Sequence, residues 1–208
     1  MTATISRFDR RASTYEDSVL QQFLFGPVRQ TTLPLALQFR SEAQRVLDVG
    51  CGTGQLLRCA RPYYPTANLV GVDLSQQMLA TASRITPARL SLLLAHSRAE
   101  QLPFPDEVFD IVFATLSLRH WTDLPAGITE IGRVLDAGGV LVLAEIFPIC
   151  RHSATADRMP RRHPSEVPAE FASLLAAQRL AVVGCARTRW FRLPDVQVIA
   201  ARRMTRRG

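Results

Sequence analysis

A glycine-rich turn beside an acidic residue is the part of the sequence best suited to hold a ligand. Within Arg45–Gln55, a short apolar run contains Asp48 and leads to three glycines, Gly50, Gly52 and Gly54. Glycines let the backbone turn sharply and approach a bound ligand closely. A dinucleotide fingerprint requires G-x-G-x-x-G, and its third glycine is a glutamine here. The loop therefore departs from that fingerprint.

The acidic residues near the loop indicate what the ligand carries. A pyrophosphate would be repelled by Asp48, whereas S-adenosylmethionine has no phosphate and bears a sulfonium and an ammonium. Asp73 ends the next apolar run, where an acid can accept hydrogen bonds from ribose hydroxyls. Asp73 could instead cap the helix that follows. The apolar Leu74 and Met78 could sandwich an adenine ring.

Short apolar runs alternate with helical patterns from residue 45 onwards. This alternation is the signature of an open α/β sheet built mainly from parallel strands. The predicted strands are Arg45–Val49, Leu69–Asp73, Leu90–Ala95, Val108–Ala114 and Val140–Ile146, and the helices between them are Gln55–Ala60, Ser75–Ile85 and Leu124–Leu135.

The C-terminal part departs from this alternation. A predicted helix, Pro168–Arg179, leads to apolar runs at Leu180–Cys185 and Arg187–Phe191, then to a turn at Pro194-Asp195 and a last strand, Val196–Ala201. Two strands joined by a tight turn are antiparallel. We therefore expect a seven-stranded sheet in which one strand of the final hairpin is antiparallel to six parallel ones.

The first 40 residues are predicted to be helical. Apolar residues at three- and four-residue steps share one face of a helix that stops near Gly26-Pro27, and a second helix is expected up to about Phe39. The residues of that first face are Phe8, Ala12, Tyr15, Val19 and Phe23.

Four motifs in order resemble those of class I S-adenosylmethionine-dependent methyltransferases, in particular the small-molecule branch with the ubiquinone/menaquinone and malonyl-carrier-protein enzymes. They are VLDVGCGTG, VGVDLS, AEQLPFPDEVFDIVFATLSLRHW and GRVLDAGGVLVLAE, and the opening FDRRASTYE is similar to that branch's N-terminal helix. The resemblance implies a Rossmann-like three-layer sandwich with strand order 3-2-1-4-5-7-6 and an antiparallel strand 7. It also implies one methyltransferase domain over residues 1–208, with a helical lid at 1–40 and a core at 45–203.

The resemblance also implies roles for individual residues around S-adenosylmethionine, whose product would be S-adenosylhomocysteine. Asp48 and the three loop glycines would face the methionine part, and Asp73 the ribose. Thr115 or Leu116 would place a carbonyl near the ammonium, and Tyr15 would close the pocket from the N-terminal helix.

The adenine end of the implied site departs from the family pattern. Ala99 would offer a backbone N–H near the ring. Relatives often have an aspartate just before this Ala-Glu pair to bind the adenine amino group, but here Arg98 stands in its place. The contact on that side of the adenine should therefore differ.

His120 is the candidate catalytic residue. It follows the fourth predicted strand, at the edge where such sheets bind ligands, and could act as a general base on the acceptor. The alternative is that His120 and Trp121 only pack the loop before the next helix. Methyl transfer requires neither a covalent intermediate nor a metal, because alignment of the reactants accounts for much of the rate. No metal ligands are therefore expected.

A proline- and arginine-containing stretch, Arg151–Pro164, is predicted to be a loop over the edge of the sheet. It could bind a carboxylate or phosphate on the acceptor, or its charges could simply be solvated. The charged residues concerned are Arg151, His152, Arg158, Arg161, Arg162 and His163.

Composition limits the classes of function. The net charge is +7, and all 25 basic residues are arginines, which excludes a lysine Schiff base. The arginines are mostly dispersed, with no aromatic-rich basic stretch, so a nucleic-acid partner is not expected.

The four cysteines form no CxxC pair and are expected to be reduced and mostly buried. No signal peptide or apolar span is visible, which predicts a cytoplasmic protein without membrane insertion.

The sequence thus predicts methyl transfer to an oxygen, carbon or nitrogen of a small-molecule acceptor, which could be anionic. No oligomeric state is predicted. Two alternatives stay open: an RNA or DNA methyltransferase, suggested by the basic charge, and a protein that binds S-adenosylmethionine without catalysis. Against the first, the segment after the fourth strand lacks an N/D-P-P-Y/F motif.

Overall fold

The computed structural model describes residues 9, 10, 12, 15, 16, 25–147, 167–188 and 195–205. Most of the predicted first helix and the whole of the predicted loop Arg151–Pro164 lie outside these residues.

Seven strands form one sheet in the order β3-β2-β1-β4-β5-β7-β6. β7 is antiparallel to both of its neighbours, whereas β3, β2, β1, β4 and β5 run parallel. The predicted topology, including the antiparallel strand 7, is therefore confirmed. The strands are β1 Arg45–Val49, β2 Asn68–Asp73, β3 Leu92–His96, β4 Phe109–Thr115, β5 Leu135–Glu145, β6 Leu180–Thr188 and β7 Val196–Arg203.

Five helices of the described residues cover the two faces of this sheet, which gives three layers. Apolar side chains of the first three helices pack on one face, and those of the last two pack on the other. The helices are α1 Gly26–Phe39, α2 Gln55–Ala60, α3 Gln76–Ile85, α4 Leu124–Val134 and α5 Ala169–Ala177.

Side-chain alternation in the central strands builds two separate cores. Val46 of β1 and Ile111 of β4 pack beneath the first three helices, whereas their neighbours Leu47 and Val112 pack toward α4 and α5. All four side chains are fully buried. Because both faces of the sheet are covered, these strands are nearly continuous apolar runs in the sequence.

Helix starts follow local capping chemistry. The Ser75 hydroxyl accepts a hydrogen bond from Met78 N at the start of α3, and the Asp123 carboxylate accepts one from Ala126 N at the start of α4. Ser75 rather than Asp73 is therefore the residue that caps α3. The alternative that Asp73 serves as the helix cap is wrong, and its carboxylate accepts a hydrogen bond from Ser75 N instead.

Several predicted element boundaries differ from the structure, among them those of β3, β5 and β6. β3 begins at Leu92 because Ala88–Leu90 forms a 3-10 turn. β5 begins at Leu135, directly after α4 and earlier than its apolar run suggested. The first run predicted after α5 and the start of the second, up to Thr188, form the single strand β6, whose pairing with β7 is irregular between Val182 and Gly184.

Gly184 lies where β6 passes close to α1. A Cβ atom at this position would lie 2.5 Å from a ring carbon of Phe39. The strand can therefore approach the helix only because this residue has no side chain.

The cysteines of the described part of the chain are free thiols. Cys51 is buried, but Cys59 and Cys185 are exposed. The expectation of mostly buried cysteines is therefore wrong for these two, because each lies on the solvent side of its helix or strand. None of the helices within the described residues is long and apolar enough to cross a membrane.

Candidate active site

A cavity of about 490 Å³ lies at the carboxyl ends of the central parallel strands. In open α/β sheets this edge is where ligands bind, and the volume is in the range that holds a small organic ligand. Twelve of the thirteen predicted site residues line it: Tyr15, Asp48, Gly50, Gly52, Asp73, Leu74, Met78, Arg98, Ala99, Thr115, Leu116 and His120.

Gly54 is the exception and does not line the cavity. It precedes α2 with φ of 76°, a left-handed conformation that glycine adopts without strain. The role predicted for Gly54 beside the ligand is corrected to a role in the turn, because this residue directs the chain from the loop into α2.

The glycine loop is held tightly between two strands. Gly50 N and Cys51 N both donate hydrogen bonds to Val72 O of β2, at 2.8 and 3.0 Å. On the other side, a Cβ at Gly50 would lie 2.5 Å from Cβ of Ser117, which follows β4. A Cβ at Gly52 would meet nothing within 4 Å. Gly50 is thus required by packing, whereas Gly52 leaves open space.

Asp73 links the glycine loop to the end of β2. Its Oδ2 accepts a hydrogen bond of 2.8 Å from Gly52 N, and its Oδ1 accepts one of 2.8 Å from Ser75 N. Burial raises the pKa of Asp73, while the N–H groups of Ser75 and Gly52 oppose that shift. Each carboxylate oxygen can accept more than one hydrogen bond, so Asp73 can hold the loop and still face a ligand.

Asp48 is a buried acid with an unused oxygen. Its side chain is 1% exposed, and its Oδ1 has no hydrogen-bond partner within the described part of the chain. Burial, together with the nearby negative charge of Asp73, raises the pKa of Asp48 to about 8. A carboxyl group in this state favours a cationic ligand, because a nearby positive charge would stabilise its ionised form.

The segment after β4 forms the opposite wall of the cavity. Leu116 has φ of 53°, which is rare for a residue with a branched side chain and typical of functional sites. Leu116 N donates to Ala144 O at 2.8 Å, and the Ser117 hydroxyl donates to Val49 O at 3.0 Å. These bonds tie the turn to β5 and β1. The turn then continues as a short 3-10 turn, Leu118–His120.

The segments after β3 and β4 are joined through Glu100. Its Oε1 accepts hydrogen bonds from Thr122 N at 2.5 Å and Asp123 N at 3.0 Å. This contact places the region of Arg98 and Ala99 across the cavity edge from His120. Sequence reasoning did not single out Glu100, although it lies within one of the quoted motifs.

Arginines at the cavity were also missed by the sequence predictions. Arg29, in the first turn of α1, donates from Nη1 to Gln55 Oε1 at 2.6 Å, and burial lowers its pKa. Arg119 pairs with Glu145 at the end of β5. For Arg29, no sequence signal existed. Arg119 stands directly before His120 in the segment LSLRHW, so its position after β4 could have identified it.

Two residues of the N-terminal segment contact the core beside the cavity. Glu16 accepts hydrogen bonds from the Thr53 hydroxyl and from Arg58 Nη2, the latter at 2.8 Å, and Asp9 pairs with the Ser75 hydroxyl. The segment that carries Tyr15 is thereby anchored to the glycine loop and to the start of α3.

Comparisons with known proteins agree with this architecture. Residues 47–143 match the family described as methyltransferase domain. The chain is 37% identical over 121 residues to a demethylmenaquinone methyltransferase of Thermus thermophilus, covering 58% of this chain and 54% of the relative. It is 32% identical over 146 residues to a malonyl-[acyl-carrier protein] O-methyltransferase of Halorhodospira halophila, covering 70% of this chain and 48% of the relative. The chain spans about half the length of these curated relatives.

A solved structure extends the likeness of the fold beyond the matched segment. A SAM-dependent methyltransferase from Aquifex aeolicus superposes with a TM-score of 0.68 at 16% identity, covering 94% of this chain and 98% of the other. At that identity the likeness concerns the fold alone. Residues 47–143 therefore match a methyltransferase domain, and the fold of the chain is similar to that of a SAM-dependent methyltransferase.

Proposed function

We propose that the protein transfers a methyl group from S-adenosylmethionine to a small-molecule acceptor. The observation that carries this proposal is Asp48, a buried acid at the cavity wall. One of its oxygens has no partner among the described residues, and it lies close enough to Asp73 for their charges to interact. Two carboxyl groups in one cavity suit a ligand with positive charges and no phosphate. S-adenosylmethionine carries a sulfonium and an ammonium and has no phosphate.

Different cavity residues would contact different parts of the proposed cofactor. Asp48 and the loop would face the methionine part, with the carbonyl of Thr115 or Leu116 near its ammonium. The Asp73 carboxylate would accept hydrogen bonds from the ribose hydroxyls. Adenine would lie near Leu74, Met78, Arg98 and Ala99, which all line the same cavity. When bound, the cofactor supplies a methyl group activated by a sulfonium.

The acceptor would enter from the side of the N-terminal segment and the turn after β4. Tyr15, Phe25 and Trp121 provide aromatic wall there, and His120, which also lines the cavity, would act as a general base on the acceptor. We propose that residues 1–40 serve as a lid on a single domain, supported by the contacts of Asp9 and Glu16 with the core. The relative named demethylmenaquinone methyltransferase supports this class of acceptor.

Calorimetry tests the first half of the proposal. We expect S-adenosylmethionine and S-adenosylhomocysteine to bind the purified protein with a stoichiometry of one. An absence of binding at millimolar concentrations of both ligands would contradict the proposal directly.

Product analysis tests the second half. The enzyme is incubated with methyl-labelled cofactor and a small-molecule extract, and mass spectrometry identifies labelled products. A labelled small molecule supports the proposal. Cofactor binding without product from a broad acceptor panel would indicate a protein that binds without catalysis, and tight, salt-dependent RNA binding with labelled RNA would indicate a nucleic-acid enzyme.

A further inference from the structure

The two acids of the cavity and Arg119 belong to different strands. Asp48 lies next to the end of β1 and Asp73 ends β2, on the side where the cofactor is proposed to lie. Arg119 follows β4 and pairs with Glu145, the last residue of β5. Since β4 and β5 lie on the other side of β1 from β2, the acids and Arg119 occupy opposite parts of the cavity edge.

The Arg119 side chain contacts Glu145 at one side and is partly exposed at the cavity. Glu145 is fully buried, whereas the Arg119 side chain is 38% exposed and lines the cavity. The Glu145 Oε1 also accepts a hydrogen bond of 2.9 Å from Ile146 N, so the carboxylate itself is anchored to the backbone. A guanidinium has five N–H donors, and the pair with Glu145 uses only part of them. The Nε atom is buried, but the side chain is partly exposed where it lines the cavity, so N–H donors of the Nη atoms can meet a ligand there.

The surroundings of Arg119 suit an organic anion better than a free inorganic one. The cavity wall includes apolar and aromatic side chains, with Phe25, Leu116 and Trp121 among them. A guanidinium held in one orientation matches the planar geometry of a carboxylate. An apolar body carrying a single oxyanion would therefore satisfy both the wall and the arginine.

We propose that Arg119, positioned by Glu145, binds an oxyanion of the methyl acceptor, so that the acceptor is an organic acid with an apolar body. This inference rests on the proposed function, because it assumes that the cofactor occupies the side of Asp48 and Asp73. It places recognition of the acceptor's charge on the turn after β4, within the described core, rather than on the loop Arg151–Pro164.

The test uses two pairs of probes on the full chain saturated with S-adenosylhomocysteine: benzoate with benzamide, and 2-naphthoate with 2-naphthamide. Each acid and its amide have similar shapes but differ in charge. Binding is measured by calorimetry and ligand-observed NMR. We expect at least one acid to bind about tenfold more tightly than its amide, the difference expected for a charge-assisted hydrogen bond.

The variants are chosen so that the buried carboxylate is never left without a partner. Glu145→Gln removes the buried charge and keeps the guanidinium, so acid binding should persist. Arg119→Gln combined with Glu145→Gln removes both charges, and acid binding should fall about tenfold while amide binding stays unchanged. The control Arg84→Gln removes an exposed arginine of α3. It should leave acid binding unchanged.

The outcomes separate this inference from the proposed function. If S-adenosylhomocysteine does not bind, the proposed function fails and this inference fails with it. If S-adenosylhomocysteine binds but neither acid is preferred over its amide, only the role of Arg119 is overturned. Equal acid binding by the Glu145→Gln and the doubly substituted protein would overturn it as well, because the guanidinium would then make no difference.

Discussion

The carboxylate of Asp73 accepts a hydrogen bond from the backbone N–H of Gly52, 21 residues earlier in the chain, at 2.8 Å. This bond joins the end of β2 to the middle of the glycine loop that follows β1. Because Asp73 and the loop are both proposed to hold the cofactor, they form one unit rather than two independent contacts.

Replacing Asp73 tests that unit. We expect Asp73→Ala to weaken binding of S-adenosylhomocysteine about 10- to 100-fold, since hydrogen bonds to a charged group are lost and the loop is loosened. Asp73→Asn keeps one acceptor oxygen and should have a smaller effect. Calorimetry measures both constants. The control Asp106→Ala removes a carboxylate with a side chain that is 73% exposed, and its binding constant should match that of the parent.

Asp48 should make the stability of the ligand-free protein depend on pH. Its pKa rises from 3.8 to about 8 on folding, so the folded protein keeps a proton that the unfolded chain releases. The stability from this group is fully present below pH 3.8 and is lost as the pH rises to about 8. Between these values, the free energy of unfolding falls with pH at a slope that approaches about 1.4 kcal/mol per pH unit.

Urea unfolding from pH 5 to pH 8 measures this slope. Asp48→Asn has a similar shape but no titration, so the parent should lose stability relative to this variant as the pH rises. Parallel stability curves for the two proteins would contradict the assignment.

The same group should make cofactor binding depend on pH in the opposite direction. A sulfonium beside Asp48 favours the ionised carboxylate, so binding must release the proton that the free protein holds below about pH 8. Affinity for S-adenosylmethionine should therefore increase between pH 6 and pH 8, by up to about tenfold per unit. Calorimetry in buffers of different ionisation enthalpy detects the released proton. In Asp48→Asn, the release should disappear.

The loop glycines should differ in their tolerance of alanine. Gly50→Ala adds a Cβ 2.5 Å from Ser117 Cβ at a φ of 78°. Backbone strain and overpacking should therefore both lower the stability of this variant. Gly138→Ala, at the start of β5, has a φ of 79° with nothing within 4 Å, so only strain acts. Urea unfolding should show Gly50→Ala to be less stable than Gly138→Ala by about 1 to 3 kcal/mol. Equal stabilities would mean that Ser117 yields to the added methyl group.

The pair Arg119 and Glu145 should show strong coupling in stability. Arg119→Ala leaves a fully buried carboxylate without its partner, which should cost about 3 to 5 kcal/mol. Replacing both residues by glutamine removes the two charges together and should cost much less. Urea unfolding of Arg119→Gln, Glu145→Gln and the doubly substituted protein gives the coupling energy. Similar losses in both proteins would show that the ion pair contributes little.

From the sequence, the resemblance to a known family implied the strand order, and its motifs identified twelve of the residues that line the cavity. Runs such as Val46–Val49 and Ile111–Ala114 identify buried strands, and residues that follow such strands meet at one edge of the sheet. The sequence therefore predicts that Asp48, Asp73 and His120 lie near each other. Their roles at the cofactor and the acceptor stay predictions, as does the cytoplasmic location.

Only the tertiary structure decided which side chains share hydrogen bonds and charge. The bond between Asp73 and Gly52, the pair of Arg119 with Glu145, and the position of Arg29 all join residues that are distant in sequence. No local pattern records such contacts, because propensity and periodicity depend on neighbours along the chain. The raised pKa of Asp48 likewise results from burial by several strands and segments together, so the identity of the acid is in the sequence but its state is not.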